Sequence, residues 1–149
     1  MQAHCTFLDS EALAHVARRG TSVAHCPLSN AYFSALPFNL REALRNGVKV
    51  GLGTDVAGGY HIDIMSSMRE AVAVSRMRQG DKFMSAQSDP PRDGDDEVLS
   101  IDWKEALYLA TRGGAIALNL PKGAGTFTKG APFDAQCSKL IYVQYMTVR

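Results

Sequence analysis

The chain has 149 residues, 46% of them hydrophobic, and a formal net charge of +1. That is about one domain's worth of sequence with enough apolar material for a packed core, and its near-neutral balance favours neither nucleic acid nor an anionic membrane as a partner. No apolar run is long enough to span a bilayer and no basic-then-apolar leader is read after Met1. The scattered Cys5, Cys26 and Cys137 form neither a disulfide framework nor a Cys-x-x-Cys zinc motif, so a reducing, cytoplasmic setting is the expectation.

The first half of the chain repeats one pattern. Residues 1–5 read as the tail of a strand. Asp9 can cap a helix through Leu13, Val16 and Ala17, with Gly20 just beyond its end. Residues 22–26 form a second short strand, stopped by Pro27, and another helix follows around Leu40, Ala43 and Leu44, closed by Gly47. Val48, Val50 and Leu52 alternate as a third strand, and Ile64, Met65, Met68, Ala71 and Val72 mark one face of a longer helix. Connections of this kind carry parallel strands. Three strands alone make neither a barrel nor a well-covered open sheet, so the chain reads as the back end of a larger domain.

Residues 81–102 hold Pro90, Pro91, Gly94 and the acidic Asp93, Asp95, Asp96 and Glu97, and read as a flexible surface loop. Beyond it, Trp103, Ala106, Leu107, Ala110 and Ala117 fall on one side of a helix. Gly113 and Gly114 weaken its middle, which implies close packing there or a break. Residues 123–149 read as short strands with turns.

The most informative segment runs from Val48 to Gly59: a buried strand, then Gly53-Thr54-Asp55, then a glycine-loosened turn. Asp55 falls just past the carboxyl end of that strand, and His4 and His25 hold similar places on the two earlier ones. In a barrel of parallel strands that edge gathers catalytic groups, and two imidazoles with a carboxylate on one rim point to metal chemistry. Plainer roles exist for each residue. His4 can be a surface or hydrogen-bonded histidine, Asp55 a turn cap, and His25 a partner for backbone groups. Cys5 and Cys26 fit small packing positions, Met65, Met68 and Met77 core filling, and His61 the approach to a helix. A dinucleotide fingerprint fails, because Gly51-x-Gly53 needs a third glycine where Val56 stands.

His25-Cys26-Pro27-Leu28-Ser29-Asn30 together with Gly51-Leu52-Gly53-Thr54-Asp55 closely resembles the amidohydrolase superfamily, metal-dependent hydrolases and deaminases built on a TIM barrel. Within it, Ala3-His4, the run 24–30 and the run 50–60 with Asp-Val-Ala-Gly-Gly-Tyr are similar to the guanine deaminase group, and residues 110–118 and 125–134 look like that group's region after the barrel. The resemblance covers roughly residues 1–136. It implies an α/β fold holding about strands 6–8 of a (β/α)8 barrel over residues 1–120. An incomplete flanking β segment with a divergent tail would follow over 121–149.

Residue by residue, the resemblance implies that His4 ends the sixth barrel strand as a zinc ligand. Asp55, after the eighth, would contact zinc and handle a proton of the attacking water. His25, Ser29 and Asn30 would shape the pocket, hold its loop or touch the purine substrate. The reaction implied is guanine and water to xanthine and ammonia, in purine catabolism, by an intact enzyme that is a homodimer. The chain also departs from the pattern. The first-strand His-x-His pair is missing, as is the fifth-strand histidine with its glutamate. His15 and His61 fit neither place, and the pattern dissolves after Gln136. Both ends therefore read as truncated and the isolated chain as inactive. The zinc base-deaminases with a Pro-Cys-x-x-Cys motif are a separate solution with no counterpart here. Another deaminase or hydrolase of the superfamily, or a non-catalytic remnant or interaction module, is the rival reading.

Overall fold

The computed structural model describes residues 1–88 and 97–132. It opens on β1 (Gln2–Ala3) and α1 (Ser10–Arg18). Asp9 starts that helix as expected, its carboxylate accepting from the Ala12 amide at 2.8 Å. Gly20, at a φ of +65°, lets the chain turn away beyond its end. β2 (Ser22–His25) follows, and Pro27 does more than stop it. Proline has no N–H to lose at the first position of a helix, and there it opens α2 (Pro27–Phe33), an element the sequence reading missed. Then come α3 (Leu40–Arg45) and β3 (Lys49–Leu52).

The three strands form one parallel sheet in the order β1-β2-β3, with Ala3 opposite Ala24 and His25 opposite Leu52. Parallel pairing in sequence order sends every strand out at the same edge. The residues that follow them, His4, Cys26 and Gly53, are therefore neighbours on one rim. Beneath it, Leu13 and Val16 of α1, Val23 of β2, Phe38, Leu40 and Ala43 around α3, and Val48 and Val50 of β3 make the core with Ala71, Ile101, Ala106 and Leu109. Each large member withdrawn from water contributes about 1.5–3 kcal/mol.

α4 runs from Ile64 to Ser88, well past the expected start of a loop at residue 81. Residues 81–88 contain neither proline nor glycine, so nothing local stops the helix there. Ala71 is buried and Met68 and Val72 pack on the core, but Met65 and Met77 do not fill it; Met77 is 73% exposed. Residues 97–102 are also tied down. Leu99 and Ile101 are buried, and the Ile101 amide donates to Ser75 Oγ at 3.0 Å. Glu97 is ion-paired with Arg45 and Lys82, while Asp93, Asp95 and Asp96 lie outside the described residues.

Asp102 opens α5 (Trp103–Tyr108) through a reciprocal capping box with Glu105. Trp103, expected on the buried side, is 64% exposed, because the first helical turn points its side chain away from the core. The helix then widens into a π-helical turn (Leu109–Gly113) and continues as α6 (Gly114–Ala117). Of the two consequences expected of Gly113-Gly114, close packing occurs and a break does not: the helix runs through, and a Cβ on Gly113 would stand 2.8 Å from the Val50 carbonyl oxygen. Residues 121–132 form turns without a strand, and 133–149, with Cys137, lie outside the described residues. No helix among the described residues is long and apolar enough to cross a membrane.

Candidate functional site

The β1–β2 ladder continues one bond beyond β1, where the His4 amide donates to the Ala24 carbonyl at 3.0 Å. The Cys5 amide then folds back onto the Ala3 carbonyl at 2.8 Å, a tight turn about His4 with φ at +65°. Such positive-φ turns are rare and strained. Cys5 and Asp55 are left-handed too, with φ of +54° and +49°. Backbone of this kind costs on the order of 1–3 kcal/mol per residue and concentrates at functional sites.

These turns bring together two side chains far apart in sequence. His4 Nε2 lies 3.7 Å from Asp55 Oδ2, and both side chains are more than a third exposed. His4 Nδ1 lies 2.9 Å from Asn30 Oδ1. Gly58 leaves the carboxylate its space, since a Cβ there would stand 2.7 Å from Asp55 Oδ2. That role was not singled out in the sequence, where the only signal is the Gly58-Gly59 pair after the acid.

His25 belongs to the same rim but sits below it, only 2% exposed, with its ring 5.2 Å from that of Phe38. Burial, helped by the nearby His4, pushes its pKa down to about 3, so the imidazole is neutral. Its Nδ1 lies 3.4 Å from Asn30 Nδ2. Ser29 and Asn30 are buried in α2. A hollow of about 470 Å³ lies between α2 and α4, in the size range of small-molecule pockets. His25 and Asn30 line it with Phe38 and Glu70, whereas Ser29, His4 and Asp55 do not. Asn30 thus stands between the hollow and the His4–Asp55 pair.

Burial and the nearby Asp55 push the Cys26 thiol up to about 11, and burial raises Cys5 as well. Both stay protonated, which suits packing and not nucleophilic attack. His15 lies in the last turn of α1, and His61 meets Tyr60 edge to face with ring centroids 5.3 Å apart. Neither joins the rim.

The model of the amidohydrolase family matches residues 1–144, eight residues beyond Gln136, the expected end of the pattern. The chain belongs to the amidohydrolase family. Guanine deaminase of the rat, Rattus norvegicus, is 38% identical over 135 residues, 91% of this chain and 27% of the rat protein. The solved structure of E. coli guanine deaminase superimposes with a TM-score of 0.67 at 31% identity, covering 84% of this chain and 25% of that one. An adenosine deaminase from Xanthomonas campestris, solved with bound zinc, is 26% identical with a TM-score of 0.61 over 83% of this chain and 25% of its own. The chain therefore spans about a quarter of the length of the relatives it matches, and its parallel α/β sheet fits part of a TIM barrel.

The pair on the rim can be tested against a zinc ion. Zinc bonds to histidine nitrogen and carboxylate oxygen are both about 2.0–2.2 Å, so two ligands of one ion stand about 3.4 Å apart at the tetrahedral angle and no more than about 4.3 Å apart. The 3.7 Å between His4 Nε2 and Asp55 Oδ2 fits. The number of ligands falls short of a full site, because no group of three or more His, Cys, Asp or Glu able to hold a metal occurs among the described residues. Two is one fewer than a catalytic zinc takes from protein.

Proposed function

We propose that this chain carries strands 6–8 of a guanine deaminase barrel and supplies two of its zinc ligands, His4 and Asp55. The observation that carries the reading is the His4–Asp55 juxtaposition at a ligand-compatible 3.7 Å, on the shared exit edge of parallel strands. Family membership and the 38% identity to a guanine deaminase support the choice of substrate.

When bound, zinc supplies the Lewis acidity that lets water give up a proton near neutral pH. Asp55 is the group of this chain that can take that proton, since its carboxylate stands at the rim and is more than a third exposed to solvent. His4 offers a ring nitrogen opposite it. His25, Ser29 and Asn30 shape the purine pocket from beneath, with His25 and Asn30 forming part of the wall of the neighbouring hollow. Replacement of the exocyclic amine of guanine by water oxygen gives xanthine and ammonia. The intact enzyme is then a cytoplasmic homodimer acting in purine catabolism.

A zinc titration of the 149-residue chain tests the assignment. Weak one-to-one binding that disappears in both His4→Ala and Asp55→Ala is expected; binding that survives both substitutions would place the site elsewhere. The second reading is a non-catalytic member of the family, in keeping with a ligand pair and no larger group among the described residues. Tight zinc binding accompanied by turnover in the chain alone would sink that one.

A further inference from the structure

We propose that Asn30 is a positioning residue whose amide, held against buried His25, fixes the tautomer of His4 so that Nε2 presents its lone pair toward Asp55. The purpose of this arrangement rests on the metal reading above, but the tautomer itself does not.

The chemistry of the amide makes the inference specific. An amide oxygen can only accept and an amide nitrogen can only donate. Asn30 Oδ1, 2.9 Å from His4 Nδ1, therefore requires the His4 proton on Nδ1. Asn30 Nδ2, 3.4 Å from His25 Nδ1, requires that nitrogen to be bare. One side chain sets two imidazoles in opposite tautomers. A reversed amide would reverse both, and His4 would then point an N–H at Asp55, leaving no lone pair for a cation. The observed 3.7 Å is too long for such a hydrogen bond.

Asn30 is held in place by its backbone and its surroundings. The Asn30 backbone N–H donates to the Cys26 carbonyl at 2.9 Å and its carbonyl accepts from Ser34 at 3.0 Å, in a helix whose first residue is Pro27. Its side chain is buried, and the His25 ring it faces is packed against Phe38. Free histidine favours the proton on Nε2, so the opposite form at His4 has to be imposed. Histidines that ligate metals almost always donate their other N–H to an oxygen, which fixes the ring and its tautomer. Here a side-chain amide takes that place.

The test is long-range proton–nitrogen NMR on the chain labelled at histidine, without metal, at about pH 8, above the range in which imidazoles ordinarily titrate. The expected pattern is a protonated Nδ1 and bare Nε2 on His4, with the reverse on His25. Asn30→Leu should return His4 to the Nε2–H form and lower zinc affinity about 10–100-fold. Asn30→Asp keeps the volume and an accepting oxygen but removes the donor. It should retain Nδ1–H on His4 while moving the His25 proton to Nδ1, a response that mere packing would not give. Should Asn30→Leu fail to fold, Asn30→Asp decides the matter. A wild-type His4 protonated on Nε2, or Asn30→Asp leaving His25 unchanged, overturns the proposal. The expected tautomers in a chain that binds no zinc would uphold it and remove the metal reading instead.

Discussion

Gly51 of β3 and Gly114 of α6 touch backbone to backbone: a Cβ on Gly51 would stand 2.8 Å from the Gly114 Cα. The contact lets the helical segment after residue 102 lie flat on the sheet, directly behind the strand that leads to Asp55. Its neighbour Ser22 of β2 is fastened to the same segment, its hydroxyl donating to the Ala117 carbonyl at 2.7 Å.

Gly51→Ala should therefore lower stability by about 1–3 kcal/mol, the usual result of forcing an extra carbon into packed space. Gly80→Ala is the control. Gly80 lies inside α4 with nothing within 4 Å of its Cβ direction, so alanine there should stabilise by about 0.5–1 kcal/mol. Urea unfolding midpoints of the two variants should move in opposite directions, and a Gly51→Ala midpoint at or above wild type would refute the close contact.

Stability should fall in two stages on acidification. His25 has its pKa pushed down to about 3 by burial and by His4, whereas an unfolded histidine titrates near about 6.5. The unfolded chain thus binds the extra proton, and stability is complete above pH ~6.5 and declines by about 1.4 kcal/mol per pH unit below it. Burial tends to raise the Glu42 carboxyl, but hydrogen bonds and charge from Arg78 hold it below the ordinary range; the Arg41 hydrogen bonds do the same for Glu105. Those contributions are present above pH ~4.3 and lost as pH falls further, which steepens the decline. Denaturant titrations across pH check both stages. His25→Phe should flatten the first and Arg78→Met should soften the second.

The isolated chain should release no ammonia from guanine, even with zinc supplied. His4 and Asp55 meet on the rim, but among the described residues no group of three or more potential metal ligands occurs. Catalytic groups that act as a unit lose nearly everything when several are absent. Zinc-dependent turnover by the purified 149-residue chain, measured beside a complete guanine deaminase, would mean that further groups complete the site.

Self-association is the expected solution behaviour. β2 is paired on both sides, but among the described residues β1 and β3 each keep an unpaired outer side, the kind of edge that recruits another chain. Phe7, Tyr32, Ile62 and Phe127 add exposed apolar surface. Sedimentation velocity should show concentration-dependent association. A monodisperse monomer with a sharp cooperative melt would contradict this.

What the residues determined by themselves is local. Asp9 before an apolar stripe specifies a helix start, Gly20 its end, and alternation at Val48, Val50 and Leu52 a strand, because each acts through its own backbone or nearest neighbours. Helical crossovers between successive strands make the sheet parallel, and so place His4, His25 and Asp55 at one edge. Depth was decided only by the tertiary structure. Nothing in the motif around His25 says that Phe38 covers its ring, or that Met77 and Trp103 face water. Those outcomes depend on which helix lies over which strand. Pro27 looked like a stop because its missing N–H ends a ladder, yet the same lack suits the first turn of α2. That choice matters most for the site. By turning α2 away from the strand end, it sets Asn30 between His25 and His4, which are distant in sequence and bridged by that one amide.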